Sequence, residues 1–146
     1  MAHYWATVHS PWSAERAFEY MSDLEHFAEW DPGVKRAVQV AGAGPALGAA
    51  YDVTVGGIGR DQILRYEIVD IDAPRRFVAR AETGTLLSLD AVTIEANGDG
   101  SAVTYDATLT LKGVMKIGSP ILALMFRRIG DRALGGLRAV IESPTP

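Results

Sequence analysis

Residues 20–33 read YMSDLEHFAEWDPG, and the architecture turns on them. Ser22-Asp23 can cap a helix, because a short side-chain oxygen accepts one of the first free backbone N–H groups. Leu24, Phe27 and Ala28 follow at helical spacing, and Asp31-Pro32-Gly33 stops the run. Upstream, Ala14, Ala17, Phe18 and Met21 repeat that spacing. They follow Ser10-Pro11, where a serine cap precedes a proline whose missing N–H costs nothing. Two short amphipathic helices are predicted. Before them His3 to His9 alternates loosely and reads as a strand.

From Val34 to Gly113 the texture changes to short β-rich runs. Strands are predicted near 34–41, 50–56, 61–72, 76–83, 86–96 and 102–112. The turns fall at Gly42–Gly48, Gly56–Gly59, Asp72–Arg75, Gly84-Thr85 and Asn97–Gly100. These connections are too short for crossover helices, so the sheet should be antiparallel. Ser119-Pro120 opens a helix to about Glu142, with Leu122, Met125, Phe126, Ile129, Ala133, Leu137 and Val140 as its apolar stripe. Residues 143–146 (SPTP) should fray. The expectation is an α+β domain over residues 1–142: a seven-stranded curved antiparallel sheet wrapped around a long C-terminal helix, with two short helices between the first two strands.

The chain has 146 residues, 48% of them hydrophobic, a formal net charge of -4 and no cysteine. One domain of this length has a sufficient core without a disulfide or metal staple. Thiol catalysis and cysteine zinc sites are excluded. A mildly acidic chain is a poor candidate for nucleic-acid binding. The charge is uneven: residues 1–33 carry six acids and one base, residues 114–146 five bases and two acids. The cluster Arg127, Arg128, Arg132 and Arg138 reads as a solvated helix face, with transient contact to acidic membrane headgroups as its functional alternative. The apolar run from Ile121 to Phe126 is too short to span a bilayer, and Met1 to Ser10 lacks the pattern of a secretory signal. A cytoplasmic monomer or weak homodimer is the default expectation.

Three segments carry a resemblance. Residues 20–33, the turn Asp72-Ala73-Pro74-Arg75-Arg76-Phe77, and the hairpin from Gly98 to Tyr105 resemble the START-like (SRPBCC) superfamily, in its polyketide cyclase/dehydrase and lipid-transport branch. The resemblance covers essentially the whole chain. It implies the helix-grip fold and a cavity between sheet and C-terminal helix. Relatives of this kind include coenzyme-Q-binding proteins, plant pathogenesis-related binders and aromatic polyketide cyclases, and no catalytic motif transfers residue by residue.

Strand alternation nominates the cavity lining. Val103, Tyr105, Ala107, Leu109 and Leu111 share one face, as do Phe77, Ala79 and Ala81, and Tyr51, Val53 and Val55. The candidate ligand-binding residues are Trp30, Tyr51, Val53, Phe77, Ala79, Tyr105 and Ala107, with Leu122, Met125, Phe126 and Ile129 from the helix. Gly130, Gly135 and Gly136 in that helix imply either close packing or ligand space. In 61–72 each face has three apolar members of five, so a bulge or an inward polar group is open, and the direction of Arg65 and Glu67 with it. Ser88 and Asp90 are equally undecided. His3, His9 and His26 lack metal-ligand spacing, and neither metal nor cofactor is expected. The glycine loop Gly42–Gly48 fails as a dinucleotide motif, because Pro45 interrupts it and a strand follows.

Two functions follow. One is binding or transport of a hydrophobic small molecule such as a lipid, quinone or polyketide-like aromatic. The other is a cyclase or dehydratase with Asp90, Tyr66, Tyr105 and His26 as acid/base candidates. An apolar cavity with one polar group at its end is expected for the carrier. Inward polar groups within hydrogen-bond reach of one another are expected for the enzyme.

Overall fold

A computed structural model describes residues 2–56, 60–113 and 119–144, without the side chains of 119–123. Strand β1 (Ala2–Ser10) leads into helix α1 (Ala14–Ser22), a 3-10 turn (Leu24–His26) and the one-turn helix α2 (Phe27–Trp30). Strands β2 (Val34–Ala41), β3 (Ala50–Val55), β4 (Gln62–Asp72), β5 (Arg76–Glu82), β6 (Leu86–Asn97) and β7 (Gly100–Leu111) follow, then helix α3 (Ser119–Ile141). The strands form one sheet in the order β1-β7-β6-β5-β4-β3-β2, antiparallel throughout. β1 is the exception to sequential pairing, closing against β7 rather than β2. Parts of two predicted features, the Gly56–Gly59 turn and the 143–146 tail, lie outside the described residues.

Two local expectations are corrected. Helix α1 is capped by Ser13, whose Oγ accepts the Arg16 N–H, and not by Ser10. Ser10 is still in the β1–β7 ladder opposite Ser101. Its Oγ accepts the Trp12 N–H and donates to the Ile141 carbonyl at the end of α3. The second short helix is split. Asp23 caps a 3-10 turn by accepting the Glu25 N–H, and α2 then makes a single turn before Pro32. A 3-10 turn is common at the start of an α-helix, and Pro32 cannot continue the run.

Close packing accounts for two helix glycines. A methyl group at Gly130 would collide with the Tyr4 ring, and one at Gly136 with the Trp30 carbonyl. These contacts draw α3 onto β1 and α2. Gly135 faces open space. Leu137 and Ile141 are fully buried at the C-terminal end of α3. Each contributes about 1.5–3 kcal/mol of burial. Trp12 is buried too, and its indole N–H donates to the Ser143 carbonyl at 2.8 Å. Ser143, expected to begin a loose tail, is therefore tied down.

The undecided strands resolve. Leu64, Tyr66 and Ile68 point inward on β4, and a bulge between Ile68 and Asp70 turns Ile71 inward after them. Arg65 and Glu67 point outward, and Arg65 pairs with Asp52 at 2.7 Å. On β6 the buried positions are Ser88, Asp90, Val92 and Ile94.

Candidate functional site

The site begins with small residues. Asp90 stands between Ala79 on β5 and Ala107 on β7 in directly paired positions. One step along, Ser88 pairs with Ala81, which pairs with Tyr66. Alanines thus stand beside Asp90, Ser88 and Tyr66, and long side chains reach across them. The Tyr66 hydroxyl passes over Ala81 to lie 2.8 Å from Ser88 Oγ. The Tyr105 hydroxyl reaches diagonally to donate to Asp90 Oδ2 at 2.6 Å. Space that alanine leaves and tyrosine does not fill remains open.

That space is a cavity of about 150 Å³ under α3. Val34, Val53 and Val55 form one wall, and Phe27, Trp30 and Asp31 a second. Tyr66, Ser88, Asp90, Tyr105 and Ala107 line the sheet side, and Phe126, Ile129, Ala133, Leu134 and Leu137 the helix side. Ile129 is 50% exposed, so the cavity reaches solvent along this turn of α3. A much smaller void lies deeper, against Met21, Leu24, Phe77, Ala79 and Val92. Phe27, Trp30, Asp90 and Tyr105 border both. Phe27 and Trp30 are stacked with centroids 4.8 Å apart, and Trp30 meets Tyr105 edge-on at 5.5 Å. These rings form the partition between the two spaces.

Burial shifts the polar groups. Asp90 is 7% exposed, and desolvation pushes its carboxyl up to about 6, the Tyr105 hydrogen bond pulling the other way. Desolvation and the neighbouring Asp90 push the Tyr105 hydroxyl well above its ordinary value. Tyr66 is raised for the same two reasons. Asp31, at the cavity wall, is raised by desolvation against the lowering effect of the Gly33 N–H. Asp90 is therefore poised to exchange a proton near neutral pH, while both tyrosines remain hydroxyl donors.

The structure brings Trp30, Val53, Tyr105, Ala107, Phe126 and Ile129 together at the cavity, with Asp90 and Tyr66. Phe77 and Ala79 lie at the deeper void. Tyr51 is fully buried but lines neither space, and its hydroxyl has no hydrogen-bond partner among the described residues. Met125 is 45% exposed and points away from the cavity. The side chain of Leu122 lies outside the described residues. His26 stacks on Tyr20 at 4.3 Å and shares a 2.8 Å hydrogen bond with the Tyr20 carbonyl, apart from Asp90. His3 pairs with Asp106 on the outer face. Among the described residues no group of three or more His, Cys, Asp or Glu is placed to hold a metal. Tyr4, Phe27, Asp31 and Val34 line the cavity without having been nominated. Of these, the Asp31-Pro32 stop and the apolar stripe of the second short helix were the signals available.

Solved structures share this fold. A START superfamily protein from Mycobacterium smegmatis aligns at a TM-score of 0.80 and 16% identity, covering 97% of this chain and 98% of that one. Major latex-like protein 151 from Panax ginseng aligns at 0.71 and 13%, covering 97% and 98%. The di-domain ARO/CYC StfQ from the steffimycin biosynthetic pathway aligns at 0.70 and 16%, covering 94% of this chain and 48% of that one. No curated protein matches the chain. The model of the family described as "Polyketide cyclase / dehydrase and lipid transport" matches residues 1–142, and the chain belongs to that family.

Proposed function

We propose that this chain binds a hydrophobic small molecule between the sheet and α3, with one polar group of that molecule held against Asp90 and Tyr105. The observation that supports it is a largely apolar cavity that reaches solvent beside Ile129. Its polar groups, Tyr66, Ser88, Asp90 and Tyr105 on the sheet side and Asp31 on another wall, outnumber the single one expected of a carrier, and their hydrogen-bonded pairing is the pattern expected of an enzyme. Each methylene removed from water there contributes about 0.8 kcal/mol, and the polar cluster orients what is bound. Apolar cavities of about 150 Å³ take a benzene-sized guest. Among lipids, quinones and polyketide-like aromatics, this volume favours a single ring or short chain, with longer parts emerging beside Ile129.

A second reading is acid/base catalysis on the bound molecule, as in cyclisation or dehydration. It is favoured by the Asp90–Tyr105 pair, since a carboxyl pushed up to about 6 can accept a proton and return it at neutral pH. The StfQ alignment agrees with this reading at the level of fold alone.

The test is an NMR titration with single-ring probes. Saturable shifts at Ser88, Asp90 and Ala107, lost in Ala107→Trp, are expected. Absence of saturable shifts with every probe, together with nothing extracted from freshly purified protein, overturns binding. Turnover abolished by Asp90→Asn with binding retained would establish the second reading.

A further inference from the structure

Among the described residues, the charged side chains that line the cavity are all acidic. Asp31 and Asp90 line it, and among the described residues no Lys, Arg or His does. Charged groups around Asp90 are also negative: Asp31 beyond α2 and Asp106 on β7, with the hydroxyls of Tyr66 and Tyr105 between them. Arg127 and Arg138 come within electrostatic reach of Tyr4 at the rim, but neither lines the cavity. Tyr105 engages Asp90 Oδ2, and no described group donates to Oδ1. A carboxylate this deeply buried is ordinarily matched by a cation or by several donors. Here it has one donor, on one oxygen.

The walls do not oppose that charge. Phe27, Trp30, Tyr66 and Tyr105 line this space, and an aromatic ring attracts a cation that reaches its free face. An anionic guest would meet two carboxylates. A neutral guest could donate to Oδ1 but would leave the negative charge unbalanced. A cationic guest answers both the carboxylates and the rings.

We infer that the polar group taken up here is a cation, so the ligand is a hydrophobic amine bound in its protonated form. This rests on the binding role proposed above. The ammonium donates to Asp90 Oδ1 within reach of Asp31, and its hydrocarbon part lies among the valines and the α3 side chains.

Benzylammonium, benzyl alcohol and benzoate carry one ring and differ in the charge of the polar group. Titrated calorimetrically against the intact chain at pH 7.5, benzylammonium should bind about tenfold tighter than benzyl alcohol, the advantage of a charged over a neutral hydrogen-bonding partner. Benzoate should be weakest. Asp90→Asn should reduce the amine-to-alcohol preference to about one. Benzyl alcohol or benzoate binding as well as benzylammonium would overturn the inference and leave the binding reading standing. A preference untouched in a folded Asp90→Asn chain would also overturn it. If that variant does not fold, the ranking on the unaltered chain decides. If none of the three saturates, this inference falls, and the wider probe titration with extraction decides whether binding falls with it.

Discussion

Tyr105 donates to Asp90 across the β6–β7 ladder at 2.6 Å, as diagonal and not directly paired neighbours. Ala107, directly opposite Asp90, is too short to cover the carboxylate. The hydroxyl therefore arrives from the side and leaves the cavity-facing oxygen open. Hydrogen bonding lowers the carboxyl's proton affinity while burial raises it, and burial wins.

That outcome makes stability depend on pH in a stated direction. Asp90 is raised from 3.8 to about 6 in the folded chain. Between those values the native state keeps a proton that the unfolded chain has lost. Stability from this group is thus greatest at low pH and falls as pH rises from about 4 to about 6, by at most about 3 kcal/mol. Asp31 acts in the same sense, while Asp52 and Glu82, lowered by their basic partners, act oppositely at more acid pH. Urea midpoints measured from pH 4 to pH 8 should decline for the native sequence and be flatter for Asp90→Asn.

Tyr105→Phe removes the one hydrogen bond among the described residues that favours the charged carboxylate. The Asp90 titration, followed by its carboxyl carbon resonance, should move above about 6. The variant should also lose about 1–3 kcal/mol of stability at pH 8, where the buried charge has no donor, and less at pH 5.

Neighbouring glycines should respond oppositely. Gly136→Ala drives a methyl group into the Trp30 carbonyl and should destabilise by about 1–3 kcal/mol or more. Gly135→Ala meets open space and should stabilise by up to about 1 kcal/mol through helix propensity. Thermal unfolding of the two variants checks the contrast.

Phe27→Ala opens the partition between the cavity and the void behind it. A loss of about 3–5 kcal/mol is expected for so large a core deletion. In exchange, the variant should bind a two-ring aromatic such as naphthalene that the native chain rejects. Fluorescence titration distinguishes the two proteins.

Where alternation ran unbroken, orientation was legible. β7 puts Tyr105 and Ala107 inward, and β5 puts Phe77 and Ala79 inward, as their patterns read. β4 was not legible, because the bulge after Ile68 changes the phase partway along and spreads apolar residues over both faces. Ser88 and Asp90 were not legible for a different reason. Their inward placement depends on hydroxyls from β4 and β7, and pairing between distant strands leaves no local pattern. In α3 the stripe places Phe126, Ile129, Ala133 and Leu137 on the cavity side, while Met125 is 45% exposed. Its pattern does not reach the close contacts at Gly130 and Gly136, because glycine carries no hydrophobic signal. The cap at α1 was misplaced because two serines precede it, and only tertiary structure commits Ser10 to Ile141.

The pairing of β1 with β7 also sets a timetable. Ala2 lies opposite Leu109, so the first strand waits for about a hundred further residues before its partner exists. At roughly 5–20 residues per second, that is about 5–20 seconds of ribosomal synthesis. Throughout it, Trp5, Val8 and their neighbours form an unpaired edge next to the nascent helices. Closure is then a late, long-range event, and long-range closure is slow. The segment most exposed to mispairing or chaperone capture is thus the domain's earliest strand.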